Sequence, residues 1–228
     1  SLLCLAAQRK GMVIIMKRFF NDGETVLFQG DSITDCGRNR DVMYDLGSGY
    51  PKTVKTLYDT LFPNNDVIFV NKGISGNRAR DLLTRYDEDF LAVKPDFVSI
   101  LIGINDTWRR YDSGDITSSE RFADEYEGLL IKIKKDMPNT KIMLMVPFLI
   151  HSQPDKIIWH EDLDLKVIAV YELGKKYADF VLPLDRIFEE AVTSGEFTPA
   201  EISGDGVHPE SLGHSIIAAN FLKALEII

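Results

Sequence analysis

Apolar residues in this chain gather into short runs, and between the runs they recur every three or four positions. Val26-Leu27-Phe28-Gln29 is one compact run that breaks off at Gly30-Asp31-Ser32, as a buried strand does when it delivers a polar residue to a sheet edge. A loop rich in glycine and charge follows from Gly37 to Gly49. Tyr50, Val54, Leu57, Tyr58 and Leu61 then fall on one helical face, and Pro63-Asn64-Asn65 stops that helix. Val67 to Val70 reads as a second strand, closed by Asn71-Lys72-Gly73-Ile74-Ser75-Gly76-Asn77. Ala79, Leu82, Leu83, Tyr86 and Phe90 predict one helix ending before Pro95. A third strand, Phe97 to Ile102, runs into Gly103-Ile104-Asn105-Asp106.

The alternation continues. A helix from about Ser118 to Met137 carries Phe122, Tyr126, Leu129, Leu130 and Ile133 on one face, and Lys141 to Val146 is the fourth strand. A long segment holding Trp159 leads to a helix through Val167, Val170, Tyr171 and Leu173, and Phe180-Val181-Leu182 is the fifth strand. Pro209 suits the first turn of a last helix with Ile217, Phe221 and Leu225. Five strand and helix alternations predict an α/β protein: a three-layer α/β/α sandwich around a five-stranded parallel sheet in the flavodoxin-like order 2-1-3-4-5. The loops leaving the carboxyl ends of such strands converge on one crevice, and the loops at Ser32, Gly73 and Asn105 all leave carboxyl ends.

Composition narrows the classes. The 228 residues, 45% hydrophobic and 27% charged, fit one domain with a sizeable core, expected over residues 16–228. A net charge of -9 with no basic stripe argues against nucleic acid, and no apolar run approaches the roughly 18 to 20 residues of a membrane span. Two cysteines, Cys4 and Cys36, make no disulfide framework and read as reduced thiols in a cytoplasmic protein. In the stretch Ser1 to Ala7 the charges Arg9 and Lys10 follow the apolar part, the reverse of a secretory signal. Residues 1–15 are therefore expected to be a non-native or disordered extension ahead of Met16. The oligomeric state is left open, a homo-oligomer included.

A serine hydroxyl is a weak nucleophile by itself, so chemistry at Ser32 requires a base, a group that orients the base, and donors for an oxyanion. His208 supplies a base, and Asp205, three residues before it, is placed to hold the other ring nitrogen. The backbone N–H groups of Ser32 and Gly73 and the side-chain amide of Asn105 are the candidate oxyanion donors. The histidines lack zinc-type pairing with cysteines and there is no H-E-x-x-H, so no metal and no cofactor are expected. Cys36 is a rival nucleophile only if its thiol is not simply a small buried side chain. Asp31 and Asp35 suit capping of the loop around Ser32, and Asp31 is also a substrate-contact candidate with Trp108 and Arg109. Trp108-Arg109-Arg110-Tyr111 offers aromatic faces to stack on sugar rings and guanidinium donors for their oxygens.

Four ordered blocks, Gly30-Asp31-Ser32-Ile33-Thr34-Asp35, Gly73, Gly103-Ile104-Asn105-Asp106 and Asp205-Gly206-Val207-His208-Pro209, resemble those of the SGNH (GDSL-type) hydrolases. Asn71 to Asn77, Ile102 to Arg109 and Gly213-His214 resemble the intracellular acetylxylan esterase branch of that superfamily, which removes acetyl groups from sugar hydroxyls. The resemblance implies Ser32 as nucleophile, His208 as base, Asp205 as its orienter, and Gly73 and Asn105 as oxyanion donors. It implies a small acylated substrate, an acetylated oligosaccharide. Gly204 and Gly206 depart from the bulkier neighbours such an aspartate has in that branch. Two other readings stand beside it: a lysophospholipase or acyl-thioesterase of the same superfamily, and a noncatalytic flavodoxin-like binding module cradling phosphate at the Gly73 loop.

Overall fold

The computed structural model describes residues 17–228, so the expectation for residues 1–15 lies outside it. In chain order the elements are β1 (Thr25–Gly30), α1 (Ser32–Asp35), α2 (Tyr50–Leu61), β2 (Ile68–Asn71), α3 (Ala79–Thr84), β3 (Phe97–Leu101), α4 (Ile104–Asp112), α5 (Ser119–Asp136), β4 (Lys141–Met145), α6 (His160–Tyr177), β5 (Phe180–Leu182), α7 (Leu184–Thr193), α8 (Pro199–Ile202) and α9 (Ser211–Ala224). The strands form one parallel sheet in the order β2-β1-β3-β4-β5, as the alternation predicts. Val26 pairs with Phe69 on one side and Phe97 on the other, which makes β1 an interior strand, second from the edge.

Strand geometry sorts the core into two layers, because successive side chains point to opposite faces. Val26, Phe28, Phe97, Leu101, Met143 and Met145 join Tyr50, Val54 and Tyr58 of α2 and Ile217 and Phe221 of α9. Leu27, Val98, Ile100, Ile142 and Leu144 pack instead against Leu82 of α3, Phe122, Tyr126 and Leu129 of α5, and Val170 of α6. Helices thus cover both faces, and the strands read as continuous apolar runs for that reason.

Three local expectations change. The helix predicted from Ala79 to Phe90 ends at Thr84, and a wider π-type turn, Asp87–Leu91, follows it. That turn brings the adjacent Asp89 and Phe90 both inward, 4% and 0% exposed. Asp89 is then met by Gln29 Nε2 at 3.0 Å and by the Arg85 guanidinium. Pro209 lies upstream of the last helix, whose N-cap is Glu210; the Glu210 N–H is engaged with the Ile202 carbonyl at 2.8 Å, and the helix starts only at Ser211. The Asn105 loop, finally, is itself the first turn of α4.

Candidate active site

Ser32 is the first residue of α1, with only Asp31 between it and the end of the interior strand β1. Gly30 makes that junction feasible, since a Cβ there would lie 2.4 Å from the Leu101 carbonyl oxygen and 2.4 Å from Thr34 Oγ1. Only glycine lets the backbone of β1 turn this close to β3. Asp31 caps the turn, accepting the Ile33 N–H at 3.0 Å.

The loop between α8 and α9 approaches from the other end of the chain. Ser32 Oγ lies 2.9 Å from His208 Nε2, across 176 positions of sequence. His208 Nδ1 lies 2.7 Å from Asp205 Oδ2. The remaining oxygen, Oδ1, accepts the N–H groups of Val207 at 2.8 Å and His208 at 2.7 Å. Burial opposes ionisation of Asp205, yet the His208 ring and these N–H groups outweigh it and hold the carboxyl down to about 2. An ionised Asp205 accepts from Nδ1–H and leaves the Nε2 lone pair to face the serine hydroxyl. The arrangement can take a proton from Ser32 and return it to a leaving group.

The oxyanion candidates fall differently from expectation. Asn105 is buried, and its Nδ2 donates to the Asn77 carbonyl at 3.1 Å, which brings it to the 71–77 loop. Gly73 does not offer a free donor. Its N–H is engaged with Asn71 Oδ1 at 2.9 Å, while Asn71 Nδ2 holds the carbonyls of Thr34 at 2.7 Å and Leu46 at 3.0 Å. Its glycine is required for space, because a Cβ would lie 2.5 Å from the Asp35 nitrogen. Three residues on, Gly76 is exposed, and its N–H meets no acceptor among the described residues. Sequence reading did not single out Gly76; what separates it from Gly73 is where the Asn71 side chain goes.

Asp31 is a second correction. It is 0% exposed, so a substrate cannot reach it. Burial pushes its carboxyl up to about 7, against the Ile33 N–H and the charge of His208, which pull it down. Asp35 likewise works within the loop, accepting from Ser75 N–H at 3.0 Å and from Arg40 at 2.6 Å. Trp108 is half-buried with its ring 5.8 Å from the His208 ring and 5.3 Å from Trp159, and Trp159 in turn stacks on Tyr111 at 5.5 Å. Arg109 leans over Trp108 and pairs with Asp112. Sequence reading did not single out Trp159 as part of this aromatic cluster; its place depends on the packing of a loop-like segment.

Cys36 does not have a base. Its Sγ lies 3.4 Å from His214 Nε2, but His214 Nδ1 accepts the Tyr50 N–H at 3.1 Å, so Nε2 carries the hydrogen and presents a donor to sulfur. Burial, helped by the charge of His208, lowers His214 to about 4 and keeps it neutral. His151 and His160 face each other at 2.7 Å. Among the described residues no group of three or more His, Cys, Asp or Glu side chains is placed to hold a metal ion. No described helix is long and apolar enough to cross a membrane. A cavity of about 400 Å³ lined by Leu149, Ile150, His151, His160, Phe188 and Val192 has none of Ser32, Asp205 and His208 in its lining.

Comparison with known proteins agrees with the geometry. The chain is 38% identical over 209 residues to an acetylxylan esterase of Geobacillus stearothermophilus, covering 89% of this chain and 94% of that protein. A crystal structure of an acetylxylan esterase from Geobacillus stearothermophilus superposes with a TM-score of 0.82 at 35% identity, covering 91% of this chain and 96% of the other. Variants of it described as catalytic mutants replace a serine, an aspartate and a histidine. A Parabacteroides merdae protein described as a GDSL-like lipase superposes with a TM-score of 0.85 at 32% identity, covering 91% and 98%. Residues 28–216 match the GDSL-like lipase/acylhydrolase family, and the chain belongs to that family.

Proposed function

We propose that this protein is a serine esterase that removes acetyl groups from carbohydrate hydroxyls, such as those of xylo-oligosaccharides. The observation that carries the reading is the unbroken contact from Ser32 Oγ through both nitrogens of His208 to Asp205. Its support on the substrate side is the similarity to acetylxylan esterases and the Trp108 ring beside His208, backed by Trp159 and Tyr111.

In the first step His208 Nε2 takes the Ser32 proton while Oγ bonds to the acetyl carbon, and the carbonyl electron pair moves onto oxygen. That oxyanion is received by the N–H groups of Ser32 and Gly76 and by the Asn105 amide. Asp205 stabilises the imidazolium by accepting from Nδ1. Collapse expels the sugar alkoxide, which takes the proton back from Nε2, and leaves an acetyl-serine. Water repeats the sequence, releasing acetate and restoring Ser32. The free thiol of Cys36 goes with a reducing, cytoplasmic setting.

The test is kcat/KM for p-nitrophenyl acetate, butyrate and octanoate, measured beside acetate release from a peracetylated xylo-oligosaccharide. A closed acetyl site loses efficiency with each added methylene, whereas a lipid site gains about 0.8 kcal/mol for each one it buries. Acetate is expected to be the best ester, with release from the sugar. Highest efficiency on octanoate with no sugar deacetylation would replace this reading by lipid or thioester hydrolysis.

A further inference from the structure

Asp205 stands between two glycines, and the loop around it is held from outside. Three consecutive carbonyl oxygens receive donors from one segment: Gly204 from Gln153 Nε2 at 2.7 Å, Asp205 from Lys156 Nζ at 2.5 Å, and Gly206 from the Ile150 N–H at 2.8 Å. Gly206 requires its glycine, with φ at +86° and a virtual Cβ 2.6 Å from the Ile150 oxygen. Gly204 is open by contrast, since a Cβ there would meet only Glu210 Oε1 at 3.5 Å. Neither neighbour of Asp205 brings a side chain to pack, and glycine has the most backbone freedom to lose on ordering.

The segment that supplies these donors is well anchored. Its 3-10 turn, Pro154–Trp159, ends on Trp159, which is 6% exposed and lies between Trp108 and Tyr111. Tyr111 Oη donates to the Ile158 carbonyl at 3.0 Å. His151 and His160 close its two ends together at 2.7 Å. The Lys156 ammonium lies 5.7 Å from the ring centres of both Trp108 and Trp159, an attraction that holds the head group over the Asp205 carbonyl.

We propose that residues 150–159 form a brace for the acid of the catalytic pair, in which Gln153 and Lys156 are positioning residues that set Asp205 against His208 through the loop's carbonyls. The proposal rests on the assignment of Asp205 and His208 given above. A carboxylate displaced from Nδ1 leaves the imidazolium unsupported in the transition state, so the brace acts on kcat and not on substrate affinity.

The experiment is a cycle measured on p-nitrophenyl acetate, which does not depend on the sugar reading. Gln153→Ala combined with Lys156→Met should lower kcat roughly 10- to 100-fold with KM little changed. Lys156→Arg, which keeps a charged donor, should retain most of the activity. In an Asp205→Asn background the same pair of changes should cost nothing further, since no carboxylate remains to be placed. Gln153→Ala alone, compared in the two backgrounds, gives the same discrimination if the double variant fails to fold. Equal losses with and without Asp205 would make the segment merely structural and overturn the proposal, as would full activity of the double variant. Full activity of Asp205→Asn by itself would overturn the acid–base assignment underneath.

Discussion

The two halves of the site are built by different means. On the nucleophile side Asp31, Thr34 and Asp35 are 0%, 0% and 3% exposed, and Asn71 alone holds the backbone at Thr34, Leu46 and Gly73. Ser32 inherits its position from β1, an interior strand of the sheet. On the acid–base side the His208 and Asp205 side chains are 44% and 42% exposed, and their loop is held by donors reaching from residues 150–156. The difference teaches that a rigid nucleophile and a surface-held base can share one reaction. The base side stays open for water and the leaving alcohol, and its placement depends on hydrogen bonds worth about 1 kcal/mol each.

The strongest way to break the comparison is to remove one member from each half. Ser32→Ala and His208→Ala should each lower kcat by about 10⁶, and the double variant should be little worse than either, because the two act as one unit. Multiplicative losses in steady-state assays of p-nitrophenyl acetate would show that the halves work independently. Asn105→Ala comes next. It should cost about 10² to 10³ in kcat with KM nearly constant, since the amide meets charge that exists only in the transition state. A raised KM at normal kcat would make Asn105 a substrate binder.

The smallest effect sharpens the contrast in rigidity. Asp31 carries a carboxyl pushed from 3.8 up to about 7 by burial, so it is a cost to the fold that grows as pH rises between those values. Stability from keeping it neutral is full below about 4 and lost through about 7. Asp31→Asn keeps an acceptor for the Ile33 N–H and removes that cost, so its melting temperature should gain on the parent protein between pH 4 and pH 8, by at most about 4 kcal/mol in stability. Calorimetry across that range checks it, and a difference that does not vary with pH would place the charge of Asp31 outside the fold's energetics.

Much of this was legible in the chain because periodicity and burial are the same fact seen twice. Val26 to Phe28 and Phe97 to Leu101 read as strands since helices cover both faces, and the polar turns at Ser32, Gly73 and Asn105 were legible because each follows the carboxyl end of a strand in a parallel sheet. What was not legible depends on where single side chains go. Gly73 and Gly76 look alike in sequence, and only the Asn71 amide separates an engaged N–H from a free one. The π-type turn after α3 follows from a buried Asp89 pairing that no helical period announces. The brace at 150–159 has no periodicity, and its donors matter only through carbonyls some fifty residues away.

The 176 positions between Ser32 and His208 also shape how the molecule acquires activity during folding. The pairings of β1 with β2 and β3 all lie within the first half of the chain, while α9 closes over Phe28 and Phe97 through Phe221. Contacts of such long separation are slow to form, because the chain entropy of closing the loop is lost before the contact returns anything. A refolding molecule can therefore have its strands paired and its serine in place while remaining chemically silent. Esterase activity regained on refolding is expected to lag behind the pairing of the strands.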